Sequence, residues 1–371
     1  MVSQAQQEPT LPHSSSSIAK RAAASMDTSP APPPLLLRAP TPSIDLPAAK
    51  QDKADAASKA AAAVFDLRRE PKIPAPFVWP HDDARPTSAV ELDVPVVDVG
   101  VLRNGDSAGL RRAAAQVAAA CATHGFFQVC GHGVDAALAR AALDGASDFF
   151  RLPLAEKQRA RRVPGTVSGY TSAHADRFAS KLPWKETLSF GFHDGAASPV
   201  VVDYFTGTLG QDFESMGRVY QRYCEEMKAL SLTIMELLEL SLGVERGYYR
   251  DFFEDSRSIM RTYNNESARG LSEGALSNGR YKSCLHRAVV NRRQERRSLA
   301  FFLCPREDRV VRPPATGTVA AAPRRYPDFT WADLMRFTQR HYRADTRTLD
   351  AFTRWLSHGP AQEAAAAAPC T

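Results

Sequence analysis

His286 is a candidate metal ligand, and Arg296 with Ser298 is a candidate grip for a carboxylate. The run Tyr281 to Val290 is short and rich in β-branched and aromatic residues, which predicts a strand. Alternate residues of a strand face opposite ways, so Cys284, His286 and Ala288 share one side of it. Imidazole is the commonest protein ligand for metals, although a single strand histidine among small residues is more often a hydrogen-bonded core group. Arg296 and Ser298 stand two apart at the start of the next expected strand, Arg297 to Cys304, and therefore face the same way. A planar guanidinium binds a carboxylate through two parallel N–H donors, and a neighbouring hydroxyl adds a further one. The competing reading is a solvated charged hairpin over Arg292 to Arg297. That basic run has no interleaved aromatics, so no nucleic-acid partner is expected. The Ser, Cys and His residues form no nucleophilic triad.

The elements that would position these groups follow from pattern and punctuation. Val94 to Val99 reads as a buried strand ended by Gly100, and Ser107 to Thr123 as a helix stopped by Gly125. Phe126 to Cys130 reads as a second strand, with Gly131-His132-Gly133 as its turn. Asp135 is placed to cap a helix reaching about Phe150, and Pro153 to open a short one. The longest helix runs from about Phe213 to Leu242, with Gly243 as its stop. It is apolar all round after Leu230, so it must be covered on most sides. After Ser258 the texture turns to strands, and Thr330-Trp331-Ala332-Asp333 resembles a capping box that opens a helix to about Tyr342. Helices, then strands, then a helical close predict an α+β fold.

The 371 residues carry 47 Lys+Arg against 41 Asp+Glu, a net charge of +6, with 44% hydrophobic residues. That is ordinary globular composition. The longest apolar stretches fall short of the roughly 20 residues that span a bilayer, so no membrane partner is expected. Residues 1–60 are Ala/Pro/Ser-rich and read as a disordered tail. Six basic and five acidic side chains there fit a transit peptide poorly, and a cytoplasmic protein is the reading taken. The six cysteines show no CxxC pair and follow no secretory signal, so reduced thiols are expected.

His286 followed ten residues later by Arg296-x-Ser298 resembles the end of the catalytic core of plant iron(II)/2-oxoglutarate dioxygenases. Cys130-Gly131-His132-Gly133-Val134 is similar to the family's strand-end turn. Leu182-Pro183-Trp184-Lys185-Glu186-Thr187 resembles a narrower signature, that of gibberellin 20-oxidases, as do Val167 to Tyr170 and Ser189 to Phe192. The resemblance runs over 65–260 and again over 276–356. It implies a double-stranded β-helix (jelly roll) flanked by helices, and Fe(II) held by two histidines and a carboxylate. It makes His286 one iron ligand and gives Arg296 and Ser298 to the far carboxylate of 2-oxoglutarate. It gives Leu182, Pro183, Trp184, Lys185, Glu186 and Thr187 to the gibberellin pocket. The implied reaction is oxidation at carbon 20 of a carboxylated diterpenoid, with ascorbate as reductant and a monomer as the working form.

The resemblance breaks over 261–275. Where the family continues from Ile259-Met260-Arg261 into a further stretch bearing its His-x-Asp pair, this chain has Thr262 to Gly274, an Asn-, Ser-, Gly- and Glu-rich segment that reads as loop. About sixty family residues are thereby replaced by thirteen, so the other His and the Asp ligand are absent and several core strands are lost. His174-Ala175-Asp176 and His81-Asp82-Asp83 match the letters but sit in polar or Pro-bounded stretches far from His286, and neither substitutes. A retained intron end, a skipped exon or a wrongly assembled gene would each give such a junction. Without turnover, the chain would be a truncated isoform that binds a ligand or partner. Residues 357–371 read as a second tail.

Overall fold

A computed structural model describes residues 72–78, 92–163, 165–172, 183–195, 197–264, 273–284, 295–341 and 348–358. The expected tail over 1–60, all but the first two residues of the tail expected over 357–371, Leu182, the centre of the junction, both rejected His-x-Asp triplets and His286 lie outside these residues.

The first half builds the helical scaffold. Strand β1 (Val96–Asp98) pairs in parallel with β2 (Gln128–Cys130). Both are shorter than the sequence suggests, because Val99–Leu102 turns into a 3-10 helix whose first free N–H, that of Gly100, donates to Asp98 Oδ1 at 2.8 Å. Between them runs α1 (Ser107–Thr123), with the Asp106 side chain accepting from the N–H groups of Ala108 and Gly109. Helix α2 (Ala136–Arg151) starts at the expected Asp135 cap, and α3 (Leu154–Arg159) follows Pro153. Helices α4 (Val200–Leu209) and α5 (Glu214–Leu242) then form an antiparallel pair, joined by a short 3-10 turn. Gly243 ends α5 at φ 65°, a left-handed position that suits glycine.

The sheet draws two strands from before α4 and two from after α5. Strands β3 (Gly169–Ser172), β4 (Glu186–Phe192), β5 (Ser258–Asn264) and β6 (Arg297–Phe302) form one antiparallel sheet in that order. Helices α6 (Tyr248–Phe253) and α7 (Glu273–Leu276) flank β5 in sequence. A small antiparallel pair, β7 (Val310–Val311) and β8 (Phe329–Thr330), leads into α8 (Trp331–His341) and α9 (Thr348–His358). The Thr330–Asp333 capping box is present: Asp333 Oδ2 accepts from Thr330 N at 3.0 Å, and Thr330 Oγ1 accepts from Asp333 N at 3.2 Å. Helix α9 carries ordered chain two residues past the boundary expected at 356.

Two expectations are corrected. Tyr281–Cys284 is not strand. Its donors are taken elsewhere, Lys282 N by Cys121 O at 2.9 Å and Tyr281 N by Ser277 Oγ at 3.0 Å, and the Tyr281 hydroxyl pairs with Ser241 at 2.6 Å. Conversely, Thr262, Tyr263 and Asn264, read as the start of a loop, complete β5 and are buried. The ladder to β4 and β6 fixes them despite their polar composition.

One face of the sheet closes on α2, α4 and α5. Leu188, Phe190 and Phe192 of β4 and Met260 of β5 pack there with Phe149, Phe205 and Tyr220, and Leu299 and Phe301 of β6 join them. The two helices α4 and α5 approach closely at Gly217, where an added Cβ would lie 3.0 Å from Val202 Cα and 3.2 Å from Phe205 Cβ. Gly217→Val is expected to destabilise the protein by about 1–3 kcal/mol through overpacking, measured as a lower urea midpoint with unchanged slope.

Candidate functional site

The opposite face of the sheet is built of polar and cationic residues in rows set by register. Thr171, Thr187, Tyr263 and Ser298 lie side by side across β3–β6. One step along come Gly169, Ser189, Arg261 and Ala300, and beyond them Gly191, Ile259 and Phe302. The hydroxyls of Thr171 and Thr187 are 3.2 Å apart. Lys185, just before β4, sets its ammonium 5.1 Å from the centre of the Tyr263 ring. Arg261 lies 6.0 Å from that ring and 5.5 Å from Phe302, with Nε donating to Ser189 Oγ at 2.9 Å. No described residue of these rows is acidic. The face therefore holds a positive potential suited to anions.

Arg296 is exposed and directly precedes β6, while Ser298 is half-buried within it. Ser298 pairs with Tyr263 and stands on the face that carries it, two residues after Arg296. Arg297 between them turns to the core side and pairs with Glu295 at 2.8 Å.

The segment Leu182 to Thr187, expected as one block to line a substrate pocket, is split by the pleat. Lys185 and Thr187 belong to the cationic face. Glu186 belongs to the core face, where it is fully buried. Its Oε1 takes Lys157 Nζ and the Tyr170 hydroxyl, both at 2.6 Å, and Asn264 Nδ2 lies 3.3 Å from Oε2. Lys157, equally buried, also donates to Phe150 O at 3.2 Å. Trp184 is half-buried with its ring edge-on to Phe77 at 4.8 Å, and Pro183 O accepts from Lys185 N at 2.9 Å. Sequence reasoning passed over Lys157 and Arg261. Lys157 sits in an ordinary charged helix, and Arg261 gains its neighbours only through strand register.

Among the described residues no three His, Cys, Asp or Glu side chains stand close enough together to hold a metal ion. His286, the iron ligand the resemblance supplies, lies outside them. The described residues by themselves thus hold no complete set of three possible iron ligands. Cys304, behind β6, is buried and its thiol is pushed up to about 12, chiefly by desolvation, so it is no thiolate ligand.

The family model of the 2OG-Fe(II) oxygenase superfamily matches residues 269–305, and the non-haem dioxygenase N-terminal model, named for morphine synthesis, matches 94–205. Gibberellin 20 oxidase 2 of Oryza sativa subsp. japonica is 71% identical over 362 residues, covering 84% of this chain and 92% of that protein. This chain is a plant 2OG-Fe(II) oxygenase of the gibberellin 20-oxidase family. Gibberellin 20 oxidase 1-D of Triticum aestivum is 47% identical over 348 residues, covering 79% and 96%. The fold is the jelly roll of these oxygenases. The crystal structure of JOX2 with 2OG, Fe and JA matches with TM-score 0.59 at 22% identity, over 80% of this chain and 97% of that one. In the rice comparison 84% of 371 residues is about 312, so about 50 of the 362 aligned positions have no residue from this gibberellin 20-oxidase family member. The wheat comparison gives about 55 by the same arithmetic (79% of 371 is about 293, against 348). Sixty residues replaced by thirteen is a deficit of the same size.

Lys157→Met leaves the Glu186 carboxylate buried without its cation and is expected to cost about 3–5 kcal/mol. The double variant with Glu186→Gln, which buries no charge, is expected to be less destabilised. Urea denaturation of both reads the difference.

Proposed function

We propose that this chain is a gibberellin 20-oxidase-type oxidoreductase that takes 2-oxoglutarate on Arg296 and Ser298 and oxidises carbon 20 of a gibberellin precursor. The observation that carries it is the 71% identity across 92% of a rice gibberellin 20 oxidase, over residues that include this cationic face. Arg296 would bind the far carboxylate bidentately, and Ser298 would add one hydroxyl donor. Pro183, Trp184, Lys185 and Thr187, with Leu182 before them, would border the substrate, while Glu186 acts from the core by holding the strand. His286 would be one ligand of the Fe(II), and ascorbate the reductant that keeps the metal ferrous. The working form is a cytoplasmic monomer whose ordered body follows an N-terminal tail over 1–60, with the 65–260 and 276–356 segments joined at 261–275.

One observation favours a second reading. The deficit of about 50 aligned positions falls in a chain whose described residues bring no three possible metal ligands together. A protein so built would keep the carboxylate face yet lack a three-ligand iron site, and would bind without turnover.

The test uses the full-length protein with Fe(II), ascorbate, 2-oxoglutarate and a C20 gibberellin. Oxidised gibberellin and succinate formed one to one, and lost in His286→Ala, is the outcome expected of the oxidase. Bound 2-oxoglutarate with no succinate above a metal-free control selects the second reading. In either case Arg296→Leu is expected to weaken 2-oxoglutarate binding at least tenfold, about 1.4 kcal/mol or more.

A further inference from the structure

The row beyond the 2-oxoglutarate grip has its own cation and its own apolar floor. Arg261 is half-buried and stands over two aromatic rings, and among the described residues it meets no carboxylate. Among the described residues its one side-chain hydrogen bond is from Nε to Ser189 Oγ, which leaves the terminal nitrogens of the fork to bind an anion. On β6 its level is that of Ala300, four residues from Arg296, or about 13 Å along an extended strand. Tyr263, opposite Ser298, occupies the row between those two levels of the strand. That spacing fits two anions rather than the two ends of one five-carbon dicarboxylate.

The surroundings of Arg261 say what the second anion is attached to. On the side away from Ser298 the next row is Gly191, Ile259 and Phe302, with no polar side chain. A Cβ built on Gly191 would meet no described atom within 4 Å, so among the described residues nothing fills the space above that strand. A half-buried guanidinium beside an apolar, unfilled patch recognises a carboxylate on a rigid hydrocarbon skeleton, the acid bound by charge and the skeleton by area.

We infer that Arg261 and Gly191 set substrate specificity: Arg261 binds the carboxylate of the diterpenoid acid, and the missing side chain at Gly191 leaves room for its ring system. This rests on the gibberellin reading above and adds the residues that choose the substrate. Gly191 precedes the junction and Arg261 is its first residue, already paired within β5, so the site survives whichever reading of turnover holds.

Binding to the full-length protein under chelator, with no turnover, tests it. The probes are a C20 gibberellin acid, its methyl ester and 2-oxoglutarate, followed by equilibrium dialysis. Arg261→Leu is expected to weaken the acid at least tenfold while leaving the ester and 2-oxoglutarate within twofold. Arg261→Lys is expected to recover part of the acid affinity. Gly191→Leu is expected to weaken acid and ester alike and to spare 2-oxoglutarate. Circular dichroism and the thermal midpoint check folding, and if Arg261→Leu does not fold, the Arg261→Lys and Gly191→Leu pair decides. Loss of 2-oxoglutarate together with the acid, equal losses of acid and ester in the Arg261 variants, or no effect of Gly191→Leu overturns the inference. Wild-type protein that binds 2-oxoglutarate but no gibberellin acid overturns this inference alone. Wild-type protein that binds neither overturns the proposed function as well.

Discussion

The Lys157–Glu186 ion pair holds the cationic face in place from behind. A lysine and a carboxylate, each about 1% exposed, carry desolvation costs that only close pairing and full hydrogen bonding offset. Here the carboxylate accepts from Lys157, Tyr170 and Asn264, so one side chain ties helix α3 to three consecutive strands. Glu186 is the first residue of β4, and its neighbours Lys185 and Thr187 face the other way. Fixing Glu186 in the core therefore fixes the rotation of the strand that carries those two residues to the ligand side. A weaker anchor would let the strand slip, and a slip of one residue would reverse every side chain on it.

Glu186 also shows why a sequence motif is not a contact list. The Leu182–Thr187 segment is legible as a unit because its residue types and order are distinctive. Which of its members touches a ligand is decided by the pleat, which the letters alone leave open until the strand's bounds are known. Helix α1 was legible for the opposite reason: its apolar periodicity and its stop at Gly125 act within a few residues. The capping box at Thr330–Asp333 is equally local. Tyr281–Cys284 misled because aromatic composition suits a strand, while partners at Cys121, Ser241 and Ser277 take its polar groups.

The junction carries the same lesson further. Thr262-Tyr263-Asn264 has the composition of a loop, yet these residues close β5, since β4 and β6 already supply the ladder on both sides. Thr262 donates to Leu188 O at 3.3 Å and Asn264 to Glu186, so polar side chains are accommodated inside by partners distant in sequence. Arg261 was invisible as a functional residue for this reason. Its importance lies in Ser189 and Ala300, 72 residues behind it and 39 ahead, which only register brings alongside.

Losing about 50 aligned positions need not treat all ligands of a site equally. Recognition of a carboxylate needs only one guanidinium, a hydroxyl and the dielectric around them, and Arg261 with Ser189 stands on strands that remain paired. Iron affinity depends on several donors converging within about 2 Å of one point, a geometry that fails when any donor is removed. The two capacities therefore separate under deletion. An oxygenase core can lose its metal set while the sheet face that selects an acidic, apolar substrate stays intact, because register assembles that face and a single converging point assembles the metal site.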